Sequence, residues 1–353
     1  MSSVFDSIDL KMRVATTPWP ANRTAEMPLR SSTYEAPAIF ECYRPRMRIQ
    51  PLALARIAGV LWLLAPTHAF AAAQDRSSAV GPIYVEINLA ENRKVAGIVK
   101  DLDGGYGTAE VIREPSEGAV RKRLGAISYE PIVVTVDPCA FQPWIRHILA
   151  NGHFTGKIYR IDALGNVAGL QTFGDSYATD LHFSALDGAS KDLAFLTVTF
   201  VPESVTSIPP AEVEKPAGLD RAAAHADTIR ANNFRIEIPA VDTKMVRGIA
   251  AFTAHIEDGT LDIPDLKVTI SNGAGAQSWR DWHEKFVINA QNDVESSLRF
   301  TYLKPDMTTE ICSYQMGGVG IVALRRGTPA KASEQPPVDA ELYVETLQVP
   351  AHP

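Results

Sequence analysis

The sequence predicts a mainly β protein with two tandem β-barrel or β-sandwich domains, each carrying one short flanking α-helix. Three observations lead to this prediction. Most of the chain after residue 80 consists of short alternating or β-branched segments bounded by Gly, Pro, Asp or Asn, which is typical of strands in barrels and sandwiches. Two segments instead place Trp and other apolar residues at helical spacing. Several features also occur twice, on either side of a Pro- and Ala-rich segment.

The repeated features follow the same order in both halves of the chain. Each half opens with a strand pattern, and a Val-x-Gly-Ile tetrad begins eight residues after it ends. The two opening strands and the two tetrads occupy residues 84–87, 95–98, 235–238 and 246–249. Later in each half, an eight-residue segment begins with Trp and ends with Asn, at 144–151 and 282–289. A self-similar unit of this length that occurs only twice predicts two tandem domains rather than a solenoid.

The N-terminal segment has the order of a secretory signal. Arginines precede an apolar run at 57–66, and small residues around an Ala-x-Ala site follow up to Ala73. The run is ten residues long, whereas a membrane span needs about 20. We therefore expect 1–46 to be an untranslated or disordered extension, 47–73 to be a signal peptide starting at Met47, and no segment to span a membrane. A buried helix or an unrelated extension is the alternative.

The first domain is predicted at 82–204. Its helix should begin near Pro143, which suits a first turn, and end before Gly152, with Trp144 and Ile148 four residues apart. This half has about seventeen more residues than the second, because 97–136 spans 39 positions and 248–270 spans 22. The Gly-rich, charged segment 100–125 contains the excess and predicts a long hairpin arm.

A linker with a short helix is predicted at 205–231, where several prolines precede three consecutive alanines. The second domain is predicted at 232–350. Its helix carries Trp279, Trp282 and Phe286 as one apolar stripe, which must lie on the sheet to be buried.

Composition argues against specific nucleic-acid binding. The chain has 34 basic and 41 acidic residues and a formal net charge of -7; removal of 1–73, with eight basic and five acidic residues, leaves 26 and 36, or -10. The largest basic cluster, 121–123, is expected to be a solvated loop.

Cysteine usage leaves two alternatives. Cys42 falls within the segment expected to be removed, and Cys139 and Cys312 lie one in each predicted domain at positions that do not correspond. Isolated cysteines in apolar surroundings are expected to be small buried thiols. Pairing of the two in an exported protein stays open.

No catalytic, cofactor-binding or metal-binding residue is predicted, and we do not expect an enzyme. His283 and Glu284 lack the second His of a zinc-protease motif, and 317–320 lacks the Lys and Ser/Thr of a phosphate loop. The acidic segment 101–105 lacks the later Glu of a calcium loop. Trp144, Trp279 and Trp282 are expected to pack a helix on the sheet rather than to line a binding pocket.

The order of these features resembles that of a known family. An opening strand ending in Val/Ile-Glu-Ile, the tetrad, an apolar strand, a Trp-containing helix and an Asp-x-x-Gly turn at 162–166 are similar to the tail tube proteins of contractile phages. The related hemolysin-coregulated tube proteins of type VI secretion share this order. The resemblance is best over 82–204 and looser over 232–349.

The resemblance implies a structural protein that self-associates through strand edges into a ring or tube. With two domains per chain, three chains would form a pseudo-sixfold trimer, and other tail or baseplate proteins would be further partners. The chain would be periplasmic or extracellular if the signal at 47–73 is real, and otherwise part of a virion or a cytoplasmic assembly. The alternative is an exported monomeric two-domain β module that binds a protein or a glycan.

Overall fold

The computed structural model describes residues 80–116, 118–220, 229–291, 295–329, 333 and 335–350. The predicted extension at 1–46 and the predicted signal peptide at 47–73 lie outside the described residues, as does most of the predicted linker helix. Among the described residues, the helices are too short or too polar to cross a bilayer.

The described residues form eighteen strands and two α-helices. The first half contains β1 (Val80–Asn88), β2 (Lys94–Val99), β3 (Asp101–Gly104), β4 (Gly107–Ser116), β5 (Ala119–Tyr129), β6 (Ile132–Val136), α1 (Gln142–Leu149), β7 (Phe154–Asp162), β8 (Val167–Phe183), β9 (Leu186–Asp187) and β10 (Leu196–Ile208). The second half contains β11 (Phe234–Glu237), β12 (Val246–Ile249), β13 (Phe252–Glu257), β14 (Thr260–Asp262), β15 (Leu266–Ile270), α2 (Gln277–His283), β16 (Ser296–Leu303), β17 (Glu310–Arg326) and β18 (Val338–Gln348). The prediction of a mainly β fold with few helices is confirmed.

The first sheet nearly closes into a barrel. Its strands follow the order β2-β1-β7-β8-β10-β6-β3. Only Lys100 separates β2 from β3, and its backbone N–H donates to the Thr135 carbonyl in β6 at 2.8 Å. One bent strand therefore pairs with β1 at its start and with β6 at its end. In β6 the alternate residues Ile132, Val134 and Val136 point into the core, as the period of two requires.

The second sheet is open and forms a half-barrel. Its order is β11-β16-β17-β18-β15-β12-β9. Its five consecutive strands β11-β16-β17-β18-β15 have the same relative order along the chain as the five strands β1-β7-β8-β10-β6 of the first sheet. Each half also places its α-helix directly after the corresponding strand, β6 or β15.

The two halves exchange strands between their sheets. Strand β9 of the first half pairs with β12 of the second, and β13 of the second half pairs with β8 of the first. Phe183 and Phe252 are partners in the second of these pairings, and their rings stack at 4.9 Å. All described residues belong to one compact unit, Ala71–Pro353. The predicted domain boundaries stay predictions, and β10 runs to Ile208, past the predicted end at 204.

The two Val-x-Gly-Ile tetrads do not occupy equivalent positions. Val95 and Gly97 pair with Ile87 and Val85 in β1. In the second half, Val246 and Gly248 pair with β15 instead of β11. The similar spacing therefore does not correspond to similar pairing partners.

The helices bury their tryptophans, as the apolar stripes predict. Trp144 is fully buried and meets Phe154 and Phe200 edge to face, with ring centroids 5.2 and 6.0 Å apart. Trp279 is also fully buried, and its indole N–H donates to the Asp242 carbonyl at 3.0 Å.

The expectation of two free cysteine thiols is wrong, because Cys139 and Cys312 form a disulfide. The segment that leads into α1 packs on β17 of the other half. There the Tyr314 hydroxyl donates to the Pro138 carbonyl at 2.6 Å, and the Gln142 amide donates to the Ser313 carbonyl at 2.8 Å. These contacts bring together two cysteines that do not occupy corresponding positions in the two halves of the sequence.

Candidate assembly interface

A two-stranded ribbon formed by β4 and β5, here called the arm, has mostly exposed residues. It continues the β3–β6 ladder beyond the barrel, and at its base the Glu130 N–H donates to the Tyr106 carbonyl at 2.9 Å. Strands of this length extend about 30 Å. The hairpin predicted within 100–125 is present and runs on to Tyr129.

One face of the arm is apolar and exposed to solvent. Directly paired residues of an antiparallel ribbon share a face, and the pairs Ala109–Ile127, Val111–Leu124 and Pro115–Val120 all lie on this one. The relative exposures of Leu124, Ile127, Val120 and Val111 are 72%, 61%, 58% and 49%. We call this surface the apolar arm face.

Two cations lie opposite each other within the apolar arm face. Arg113 pairs with Lys122 in the ribbon, between the Val111–Leu124 and Pro115–Val120 pairs. Neither has an ion-pair partner among the described residues, whereas Arg123 on the other face donates to Glu114 at 2.7 Å. Like charges directly opposite each other destabilise a ribbon, and an isolated two-stranded ribbon is at best marginally stable in water. The arm therefore combines exposed apolar surface with two positive charges that have no ion-pair partner among the described residues.

A cleft of about 530 Å³ lies where the two halves exchange strands. Three segments line it: the end of α1 with the chain after it, the middle of β8, and the end of β13 with its turn into β14. The Asn151 side-chain amide donates to the Gly259 carbonyl at 3.1 Å and ties the first of these segments to the third. The volume is in the range of ligand-binding pockets.

The floor of the cleft is apolar and its rim is acidic. Ile148 and Ala178 are buried beneath it and Ile256 is half-buried, while Glu257 and Asp258 are exposed at the rim. Neither of these carboxylates has an ion-pair or hydrogen-bond partner among the described residues. Two neighbouring acids are paired with histidines: Asp175 with His153 at 2.8 Å and Asp180 with His255 at 2.6 Å.

Sequence reasoning missed this cleft because β13 and β14 were not predicted. The signal was present, since Phe252, Ala254 and Ile256 alternate with polar residues and Asp258-Gly259 is a favoured hairpin turn. What the local pattern does not specify is that β13 pairs with a strand of the other half.

The motifs that sequence reasoning set aside lie in separate parts of the fold. His283 is half-buried in α2, and 317–320 lies inside β17. In β3, the carboxylates of Asp101 and Asp103 accept hydrogen bonds from the backbone N–H groups of Leu102 and Gly104. Within the described ranges, no three His, Cys, Asp or Glu side chains are grouped so as to hold a metal ion.

Comparison with known proteins finds similarity to solved structures alone, and ten such chains match. No protein-family model matches the chain, and no curated protein matches it. Among solved structures, a chain in the cryo-EM structure of the anti-feeding prophage baseplate, six-fold symmetrised, is 12% identical with a TM-score of 0.32. The similarity covers 36% of this chain and 92% of that one.

Proposed function

We propose that this protein is a structural subunit that self-associates into a ring or tube, in the manner of the tail tube proteins that its motif order resembles. The observation that carries the proposal is the apolar arm face, with four large side chains 49–72% exposed on a ribbon outside the barrel. Contiguous exposed apolar surface of this kind is typical of interaction sites.

Open strand edges support the same proposal. Among the described strands, β11 ends the second sheet, and β14 pairs only with β13. Unpaired edges tend to add strands from other chains, and a closed ring satisfies all of them. With two similar sheets per chain, three chains give six, so a pseudo-sixfold trimer is the simplest closed assembly. A phage-like contractile injection device, with other tail or baseplate proteins, is the setting that this role implies.

The disulfide favours an exported location, since such bonds persist mainly in oxidising compartments. It therefore supports the proposal that 47–73 is a signal peptide and that the subunit assembles outside the cytoplasm. No catalytic role is proposed for any residue.

A second candidate function is favoured by the cleft. Its volume, about 530 Å³, is enough for a small ligand or for part of a protein or glycan. In this case the chain would be an exported monomeric binding module, and the arm would contact the bound partner rather than another copy.

The test is the mass of the protein expressed from Gln74 onward, measured by light scattering over a range of concentrations and checked by negative-stain imaging. We expect rings or tubes built from three-chain units. Leu124→Ser with Ile127→Ser should weaken the assembly, because it removes apolar area from the arm face. Leu164→Ser is the matched control, since Leu164 is 87% exposed in a loop outside the arm. A wild-type monomer at all concentrations would overturn the proposal and favour the binding module.

A further inference from the structure

We infer that the arm of one copy docks on the acidic cleft of a second copy, with Arg113 and Lys122 facing Glu257 and Asp258. This inference rests on the proposed self-association and names its acceptor surface. The partner of the arm must satisfy two requirements, which are apolar contact for Leu124 and its neighbours and negative charge for the two cations.

The cleft meets both requirements on one chain. Ile148, Ala178 and Ile256 give it an apolar floor, and Glu257 and Asp258 place two carboxylates at its rim. The arm presents the same arrangement with the opposite charge, because Arg113 and Lys122 lie between apolar pairs. Complementary charge at an interface fixes register and speeds association.

The occupant is a second copy rather than the chain's own arm. The residues that line the cleft come from 148–153, 177–179 and 256–259, and none belongs to the arm. With a formal net charge of -7, another copy also offers more acidic than basic side chains to the two cations of the arm.

An open strand edge beside the cleft adds a main-chain contact. Strand β14 leads directly out of the cleft turn and pairs only with β13 among the described strands. Both outer edges of the arm also carry unpaired backbone groups. Addition of an arm strand to β14 would pair the open edge of β14 with one outer edge of the arm and would bring the charged residues of the arm toward the rim.

The experiment is a charge exchange in the protein from Gln74 onward, with the dissociation constant of the assembly measured by analytical ultracentrifugation. Arg113→Glu with Lys122→Glu, and separately Glu257→Lys with Asp258→Lys, should each weaken assembly about tenfold or more. All four changes together should restore most of the loss. Arg121→Glu, on the other face of the arm, and Asp265→Lys, exposed and outside the cleft, are the matched controls and should have little effect.

The outcomes separate this inference from the proposed function. If the wild type stays monomeric, the self-association itself fails. If the wild type assembles and Leu124→Ser with Ile127→Ser weakens it, but the cleft reversal has no effect or the fourfold variant is not restored, only the acceptor assignment is overturned. Retention of the wild-type chain on anionic vesicles, lost in Arg113→Glu with Lys122→Glu without any change in assembly, would also overturn it and identify a lipid surface as the partner of the arm.

Discussion

Cys139 and Cys312 join the segment before helix α1 to strand β17 across a sequence separation of 173 residues. The bond lies beside the Tyr314–Pro138 and Gln142–Ser313 hydrogen bonds. One region therefore fastens the helix of the first half to the sheet of the second.

Removal of this disulfide should destabilise the protein substantially. Replacing both cysteines with Ser should lower the free energy of unfolding by about 2–5 kcal/mol, because the unfolded chain loses a long covalent loop. Denaturant unfolding of the chain from Gln74 onward checks this, since that chain contains only these two cysteines. Reductant should destabilise the wild type and leave the double Ser variant unchanged. Detection of two free thiols in the unreduced, denatured wild type would contradict the pairing.

Much of the fold could be predicted where the signal is local. The alternation in 132–136 gives β6 with its full bounds, and the spacing of Trp144 and Ile148 gives helix α1. Both elements follow from local periodicity, because the side chains that must be buried lie only a few residues apart in the sequence.

What could not be predicted depends on contacts between distant parts of the chain. The partners of Gly97 and Gly248 differ although their tetrads match, because the strand after Gly248 crosses to the other sheet. Periodicity predicts a strand but not its neighbour. For the candidate interface, the arm could be predicted from the length and the glycine content of 100–125. The cleft could not, because it forms only when β13 pairs with β8.

Two buried tyrosines should respond differently to loss of the hydroxyl group. Tyr314 donates to the Pro138 carbonyl at 2.6 Å, so Tyr314→Phe leaves a buried acceptor unsatisfied and should cost about 1–3 kcal/mol. The buried Tyr302 hydroxyl has no hydrogen-bond partner among the described residues, and Tyr302→Phe should be neutral or slightly stabilising. Burial raises the pKa of both phenols.

Denaturant unfolding of the two variants side by side measures this difference. Each loses one oxygen atom from a fully buried ring, so that each is the control for the other. An equal loss of stability in both variants would show that the Tyr302 hydroxyl also has a buried partner.

The strand exchange should be sensitive to one glycine. A Cβ on Gly248 would overlap with the Leu186 carbonyl oxygen, so Gly248→Ala should force β9 away from β12 and cost about 1–3 kcal/mol. Gly169 in β8 is the matched control, because no atom lies within 4 Å of the corresponding Cβ position. Gly169→Ala should change the stability by less than about 0.5 kcal/mol. Equal melting temperatures for the two variants would mean that β9 is not held at this position.

Acid sensitivity should arise in part from the turn between β16 and β17. Hydrogen bonds from the Thr309 hydroxyl, at 2.6 Å, and from the N–H groups of Thr309 and Thr308 hold the pKa of Asp306 well below its usual 3.8. A carboxyl group whose pKa is lower in the folded state stabilises the fold above its unfolded pKa. That contribution is lost as the pH falls below about 4 toward the folded pKa.

Asp306→Asn should therefore lower the melting temperature at pH 7, and the difference from the wild type should shrink as the pH falls below about 4. The reason is that below about pH 4 the unfolded wild type binds a proton at this carboxyl group while the folded state still keeps it ionised, so that unfolding is favoured and the advantage over the neutral amide is lost. Thermal unfolding of both proteins between pH 7 and pH 2 measures this convergence. A difference that stays constant over the whole range would mean that the charge of Asp306 contributes nothing and that only the shape of the turn matters.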